Sequence, residues 1–253
     1  MGRADGSMPL GLCFGLNWVD GKQVFSYLVT SRHVVEDSLH SGQEISLRAN
    51  RPDAPSAEAS PLPSQWVYHV DPAVDLAVLP RVGQLDGHVT TMAALSSDAI
   101  VTPERLLAPL VEGIEVCAIA LLDPARAVAV AKLVVRHGHI ALVNQAPLVG
   151  PYGLAHFYVI ECATQPDDSG GPVFMPAQGP SGQPTLALLG VLMAPYPLQG
   201  LMRSDAWPRS GLALVTPGQF IIDVLQQPEL AELRQQGLGA GRIRQVPPKL
   251  RTN

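Results

Sequence analysis

The chain has 253 residues, 47% of them hydrophobic and only 15% charged, with a formal net charge of −5. That length supports a sizeable core in one large domain or two small ones, and the acidic balance excludes nucleic-acid binding through a general positive field. Its 23 glycines and 24 prolines, 47 residues together, exceed the usual share of about 12%, and the short apolar runs between them predict an all-β, turn-rich fold.

Leu10–Val19 and Lys22–Thr30 read as two strands joined at Asp20-Gly21, a hairpin signal. His33 follows on a turn that opens a short helix, with Ser31 as its N-cap. Gln43–Arg48 reads as a strand, and Asn50–Ser64, rich in Pro, Ala and Ser, as a surface loop. Gln65–Val70 and Asp75–Leu79 are further strands. Periodicity fades over 81–113, where Thr102-Pro103 marks the start of a short helix over 103–110. Strands are expected again at Ile114–Leu122, Ala127–Val135, His139–Val143, Phe157–Ala163, Pro172–Met175, Leu186–Met193 and Leu212–Val215. Pro217–Gln227 carries a helical apolar stripe of Phe220, Ile221, Val224 and Leu225, and Pro228 opens a second short helix. Residues 237–253 hold Arg242, Arg244, Lys249 and Arg251 with no acid, and are expected to be disordered.

Three stretches carry chemistry. Cys-Ala-Thr-Gln-Pro-Asp-Asp-Ser-Gly-Gly-Pro-Val-Phe (162–174) sets Ser169 between acids and a glycine pair that permits a tight turn. A serine hydroxyl needs a base and an orienting acid to act as a nucleophile. Tyr-Leu-Val-Thr-Ser-Arg-His-Val-Val-Glu (27–36) offers His33 after an apolar strand, and Asp-Pro-Ala-Val-Asp-Leu-Ala-Val-Leu-Pro (71–80) offers Asp75, with Asp71 as its rival. Asp75 is preferred because an acid entering an apolar strand needs a partner.

In order and spacing these blocks resemble the trypsin-like (chymotrypsin-fold) serine peptidases, of the short bacterial type; Val-Val-Arg-His-Gly-His-Ile-Ala (134–141) also resembles a strand of those members. The order His, Asp, Ser is the chymotrypsin order, with separations of 42 and 94 residues. The resemblance covers roughly 9–225. It implies two antiparallel six-stranded β-barrels and a C-terminal helix. The first barrel spans 9–98 with His33 and Asp75, a connection 99–112, the second barrel 113–216 with Ser169, a helical segment 217–236 and the basic tail 237–253. It further implies a serine endopeptidase with His33 as general base, Asp75 as its orienter and Ser169 as nucleophile. The partner is then a peptide or protein substrate, and no metal or organic cofactor is needed.

By the same resemblance the backbone N–H groups of Asp167 and Ser169 form the oxyanion hole. The family has glycine at the first position, so Asp167 adds a Cβ and a charge beside the developing oxyanion, harmless if turned outward and slowing if turned inward. Asp168 matches the acid that in zymogen-activated relatives pairs with a newly released N-terminal amine. No activation motif is recognisable here, so Asp168 finds other donors, is ordered from outside the chain, or is solvated. The specificity pocket falls on Ala163, Thr164, Met193, Ala194, Pro195 and Gly211, with no acid to favour Arg or Lys; Met193 has the alternative of ordinary core. His137 and His139 share a strand face and are an incomplete metal site.

The three cysteines, Cys13, Cys117 and Cys162, are scattered, with no CxxC and no disulfide framework. The first residues lack an apolar signal core and no stretch reaches about 18 apolar residues. A cytoplasmic location without a membrane partner is expected.

Overall fold

The computed structural model describes residues 2–3, 11–21, 23–40, 45–51, 54–80, 94–106, 109–122, 132–143, 146–150, 152–179, 181–195, 211–237 and 240–242. In the first half these are β1 (Gly2–Arg3), β2 (Phe14–Asp20), β3 (Gln23–Thr30), α1 (Arg32–His40), β4 (Ile45–Arg51), β5 (Ala54–Ala59), β6 (Val67–Tyr68), β7 (Ala77–Pro80) and β8 (Ala94–Ser96). The Asp20-Gly21 turn joins β2 to β3 in register from Phe14↔Val29 to Asp20↔Gln23. Along β3 the alternation places Phe25, Tyr27 and Val29 on one buried face, while Leu28 on the other packs with Val34 and Val35 of α1, Trp66 and Leu79. With both faces covered, the end of β3 is a rigid base for the turn that follows.

The second half comprises β9 (Glu115–Leu121), β10 (Leu133–Val143), β11 (Leu148–Gly150), β12 (Gly153–Ala155), β13 (Tyr158–Glu161), β14 (Pro172–Gln178), β15 (Pro184–Pro195) and β16 (Leu212–Pro217), then α2 (Gln219–Leu225), α3 (Pro228–Gln235) and β17 (Ala240–Arg242). Six of these close a barrel in the order β10-β13-β16-β15-β14-β9, filled by side chains such as Val116, Ile140, Ile160, Leu189 and Val215. The strand expected to break between Val135 and His139 is continuous, because β9 pairs it over 133–139 and β13 takes over at 139–143.

The all-β class and the C-terminal helix hold, and among the described residues the strands of the first half do not close into a barrel. They form one sheet, β6-β7-β3-β2-β8 with β17 also on β3, and a separate sheet β1-β4-β5. β4 has both edges occupied, by β1 and β5, so among the described residues no ladder joins the two sheets. The loop expected over Asn50–Ser64 contains β5, whose proline is tolerated because the strand lies at a sheet edge. The helix expected over 103–110 is a 3-10 turn, Pro103–Arg105, with no side-chain cap from Thr102. The tail, expected without structure from 237, forms β17 at 240–242 against Gln23–Phe25; 243–253 lie outside the described residues.

The halves share a core. Phe14, Leu16 and Val78 of the first sheet cluster with Leu188 and Val191 of β15 and with Ile221, Val224 and Leu225 of α2, the stripe expected from sequence. Val101 N–H donates to Leu188 O at 2.9 Å. Among the described residues no helix is long and apolar enough to cross a membrane.

Candidate active site

His33 sits in the first turn of α1, immediately after the doubly covered end of β3. Asp75 lies between Val74 and Leu76, two residues ahead of β7, and is 1% exposed. Its carboxylate holds His33 twice: Oδ1 accepts from the His33 backbone N–H at 2.8 Å, and Oδ2 lies 2.7 Å from Nδ1. An ionised carboxylate only accepts, so it fixes the ring proton on Nδ1 and leaves Nε2 as the basic nitrogen. Asp71 does something else. It is exposed, and its Oδ1 accepts from Ala73 N–H at 2.9 Å to close its own turn.

Burial pulls the His33 imidazole toward neutrality, but its hydrogen bond to Asp75 and the charges of Asp75, Asp37 and Glu36 outweigh burial, so its pKa is raised. Thr216 of β16 donates its hydroxyl to the Asp75 carbonyl at 3.4 Å, tying this acid to the second half.

Ser169 is 2% exposed and lies just after a 3-10 turn, Pro166–Asp168, at the entry to β14. Several contacts bring its turn against the His33 turn. Leu192 O accepts from both the Ser31 hydroxyl at 3.0 Å and Gly170 N–H at 2.7 Å. The Ser31 hydroxyl, expected to cap α1, thus donates across the halves. Ser169 O accepts from Leu12 N–H at 2.7 Å, and Leu12 O accepts the Thr30 hydroxyl at 2.7 Å. Gly170 has φ +82°, and a Cβ there would collide with Leu12 O and the Thr30 hydroxyl, so only glycine fits. Ser169 Oγ donates to Met193 O at 2.7 Å. A hydroxyl carries one proton, so this bond competes with donation to an imidazole.

Asp168 is fully buried, which removes the solvated alternative. Its Oδ1 accepts from Leu121 N–H at 2.8 Å, its Oδ2 accepts from Gln165 N–H at 2.9 Å, and Arg136 Nε lies 3.4 Å from Oδ2. Arg136 also donates to Leu121 O at 3.2 Å. Burial pushes this carboxyl's pKa up against those three partners. The counter-charge is therefore internal, from β10. Sequence reasoning missed Arg136; the available signal was a lone cation in an alternating strand of the second half.

Asp167 is half-buried in the same 3-10 turn, closed by Asp168 N–H donating to Gln165 O at 3.0 Å. Among the described residues no non-glycine has positive φ, Asp167 included. Burial, then the neighbouring Asp168 charge, raises its pKa.

Of the pocket candidates, Ala163 is exposed, and Thr164 carries a buried hydroxyl without a hydrogen-bond partner. The Met193 side chain is core, packed with Ala155, Phe157, Val159 and Leu214, and faces the site through its carbonyl. Ala194 and Pro195 end β15, and their side chains lie outside the described residues. Gly211 opens onto empty space at φ +74° and accepts from Cys162 N–H at 2.8 Å. His137 and His139 are both exposed on β10, and among the described residues no group of three or more His, Cys, Asp or Glu could hold a metal ion. Tyr152, at the β11–β12 tip, stacks on His33. Sequence reasoning missed it too, although Gly150-Pro151-Tyr152-Gly153 is a turn signal. A cavity of 860 Å³ lies away from these residues, lined by Leu106, Leu110, Met175 and Leu186 among others.

A closed barrel packs against a second β half, and at their junction Leu192 O ties Ser31, two residues before His33, to the turn of Ser169. The family model described as "Trypsin-like peptidase domain" matches residues 12–180, two thirds of the chain, and the chain belongs to that family. Among solved structures it is similar to the apo MamO protease domain from Magnetospirillum magneticum, with 18% identity and a TM-score of 0.51 over 87% of this chain and 98% of that one. A chymotrypsin from Cellulomonas bogoriensis is also similar, with 16% identity and a TM-score of 0.36 over 85% of each chain. At 18% identity the MamO likeness shows the fold alone. None of the curated proteins matches the chain.

Proposed function

We propose that the protein is a serine endopeptidase working through an acyl-enzyme. The observation that carries this reading is the double grip of Asp75 on His33, through ring and backbone at 2.7 and 2.8 Å. Ser169 Oγ attacks the peptide carbonyl carbon as its proton passes to His33 Nε2. Asp75 stays ionised and balances the imidazolium. Collapse of the tetrahedral intermediate expels the amine, which takes the proton from Nε2. Water then repeats the two steps on the ester and frees the acid. The backbone N–H groups of Asp167 and Ser169 face the oxyanion. Ala163, Thr164, the backbone of Met193, Ala194, Pro195 and Gly211 surround the substrate side chain, and with no acid among them the preference is for small or medium apolar residues.

A fluorophosphonate that labels the wild type but not Ser169→Ala, with peptide turnover lost in both Ser169→Ala and His33→Ala, is the expected result. Undiminished turnover in either variant overturns the triad. A second reading, a catalytically weak or silent peptide-binding module, is favoured by the Ser169 hydroxyl donating to Met193 O and by Asp167 where the family has glycine. Peptide binding without labelling decides for it.

A further inference from the structure

The β11–β12 hairpin belongs to the second half, yet its tip reaches the histidine of the first. The rings of Tyr152 and His33 lie 5.7 Å apart, centroid to centroid, at 18°. The hairpin is anchored for this. Leu148 pairs with Ala155 and packs on the Phe157–Met193 cluster, as does Ala73 two residues from Asp75, and a Cβ at Gly150 would run into the Phe157 ring. Tyr152 is 45% exposed while its ring stacks on the imidazole. An aromatic face within about 6 Å of a cation attracts it through the ring quadrupole. We propose that Tyr152 is a positioning residue for His33: its stacked ring holds the imidazole against Asp75 and favours the imidazolium over the neutral ring.

This rests on the peptidase reading for its catalytic meaning, but its physical content does not require turnover. Among the described residues the charges that act on the imidazole are Asp75 ahead of β7 and Glu36 and Asp37 of α1, Ser169 is its partner in the peptidase reading, and Tyr152 of the hairpin stacks on it. All but the last are unchanged in Tyr152→Phe, which keeps the ring face, and in Tyr152→Leu, which keeps apolar bulk without it. Tyr152 sits at a hairpin tip, so neither substitution disturbs the core.

The test is an NMR titration of the His33 ring nitrogens, assigned by their loss in His33→Gln. Wild type and Tyr152→Phe are expected to titrate together, and Tyr152→Leu lower by about half a pH unit or more. The acid limb of kcat/KM should move down with it, since the free base is the active form. An unshifted Tyr152→Leu titration overturns the proposal. So does a Phe variant shifted like the Leu variant, which would assign the effect to the hydroxyl. A rise in KM alone, with titration unchanged, would make Tyr152 a substrate wall instead. Fluorophosphonate labelling of the same samples tests the peptidase reading separately.

Discussion

Asp71 and Asp75 stand in one decapeptide and have opposite fates: one closes an exposed turn, the other is buried against His33. The raised His33 pKa makes two pH-dependent properties run in opposite directions. The protonated form is the better partner of Asp75, so its contribution to stability is full below the ordinary value of about 6.5 and is lost as pH rises through the higher folded value. Turnover needs the neutral form and should rise over that same window. Paired Tm and kcat/KM profiles check this, and His33→Gln should abolish that component of the Tm profile. Asp167 is the second residue-scale case. Its negative φ, cited above, is a region glycine can leave and aspartate leaves only at a cost. A lost oxyanion donor costs about 2.7–4 kcal/mol. Asp167→Gly is therefore expected to raise kcat with little change in KM. Steady-state kinetics on one peptide would expose the idea as wrong if the variant were no faster.

At the scale of elements, β10 does more than complete a barrel. Its Arg136 reaches the buried Asp168 carboxylate beside Ser169 and so couples a strand to the serine turn. Removing one partner of a buried pair leaves an uncompensated charge, at about 3–5 kcal/mol. With Arg136 22% exposed and two backbone donors remaining, Arg136→Met should lie at the low end, about 3 kcal/mol. Adding Asp168→Asn should recover part of that loss, because no charge is then left buried; urea denaturation of the cycle measures the coupling. β17 is a smaller matter. It pairs with β3 at Gln23–Phe25, while β7 pairs at Tyr27–Thr30 of the same strand. Truncating 238–253 should cost about 1 kcal/mol, or about 2–4 °C in Tm, and leave an edge open to self-association. A truncated chain with unchanged Tm would show that the pairing contributes nothing.

For the whole molecule, the site lies where two halves meet, so its geometry depends on how firmly they are joined. Leu188 of β15 is fully buried in the cluster shared with the first sheet and α2. Leu188→Ala should cost about 3–4 kcal/mol, as cavity-forming substitutions do. Because this core is common to both halves, unfolding should remain one transition, with tryptophan fluorescence and far-UV circular dichroism coincident. Two separated transitions would show the halves to be independent. The cross-half bonds of Ser31 and Thr216 fail with the same core, so activity should fall no later than structure.

What was legible in the sequence was local or carried by motif. The Asp20-Gly21 hairpin, the stripe of α2 and the three blocks around His33, Asp75 and Ser169 depend on turn chemistry and periodicity, which act over a few residues. Tertiary structure decided which edges paired. Among the described residues the first half forms one sheet and a separate three-stranded one, a Pro-containing stretch forms β5, and residues 240–242 of the basic tail form β17. Hydrogen bonds between strands far apart in sequence leave no mark on the residues that make them. Arg136 beside Asp168 and Tyr152 on His33 belong to the same kind: each pair joins distant segments through a charge or a ring face. Only packing brings such groups within the few ångströms at which they act.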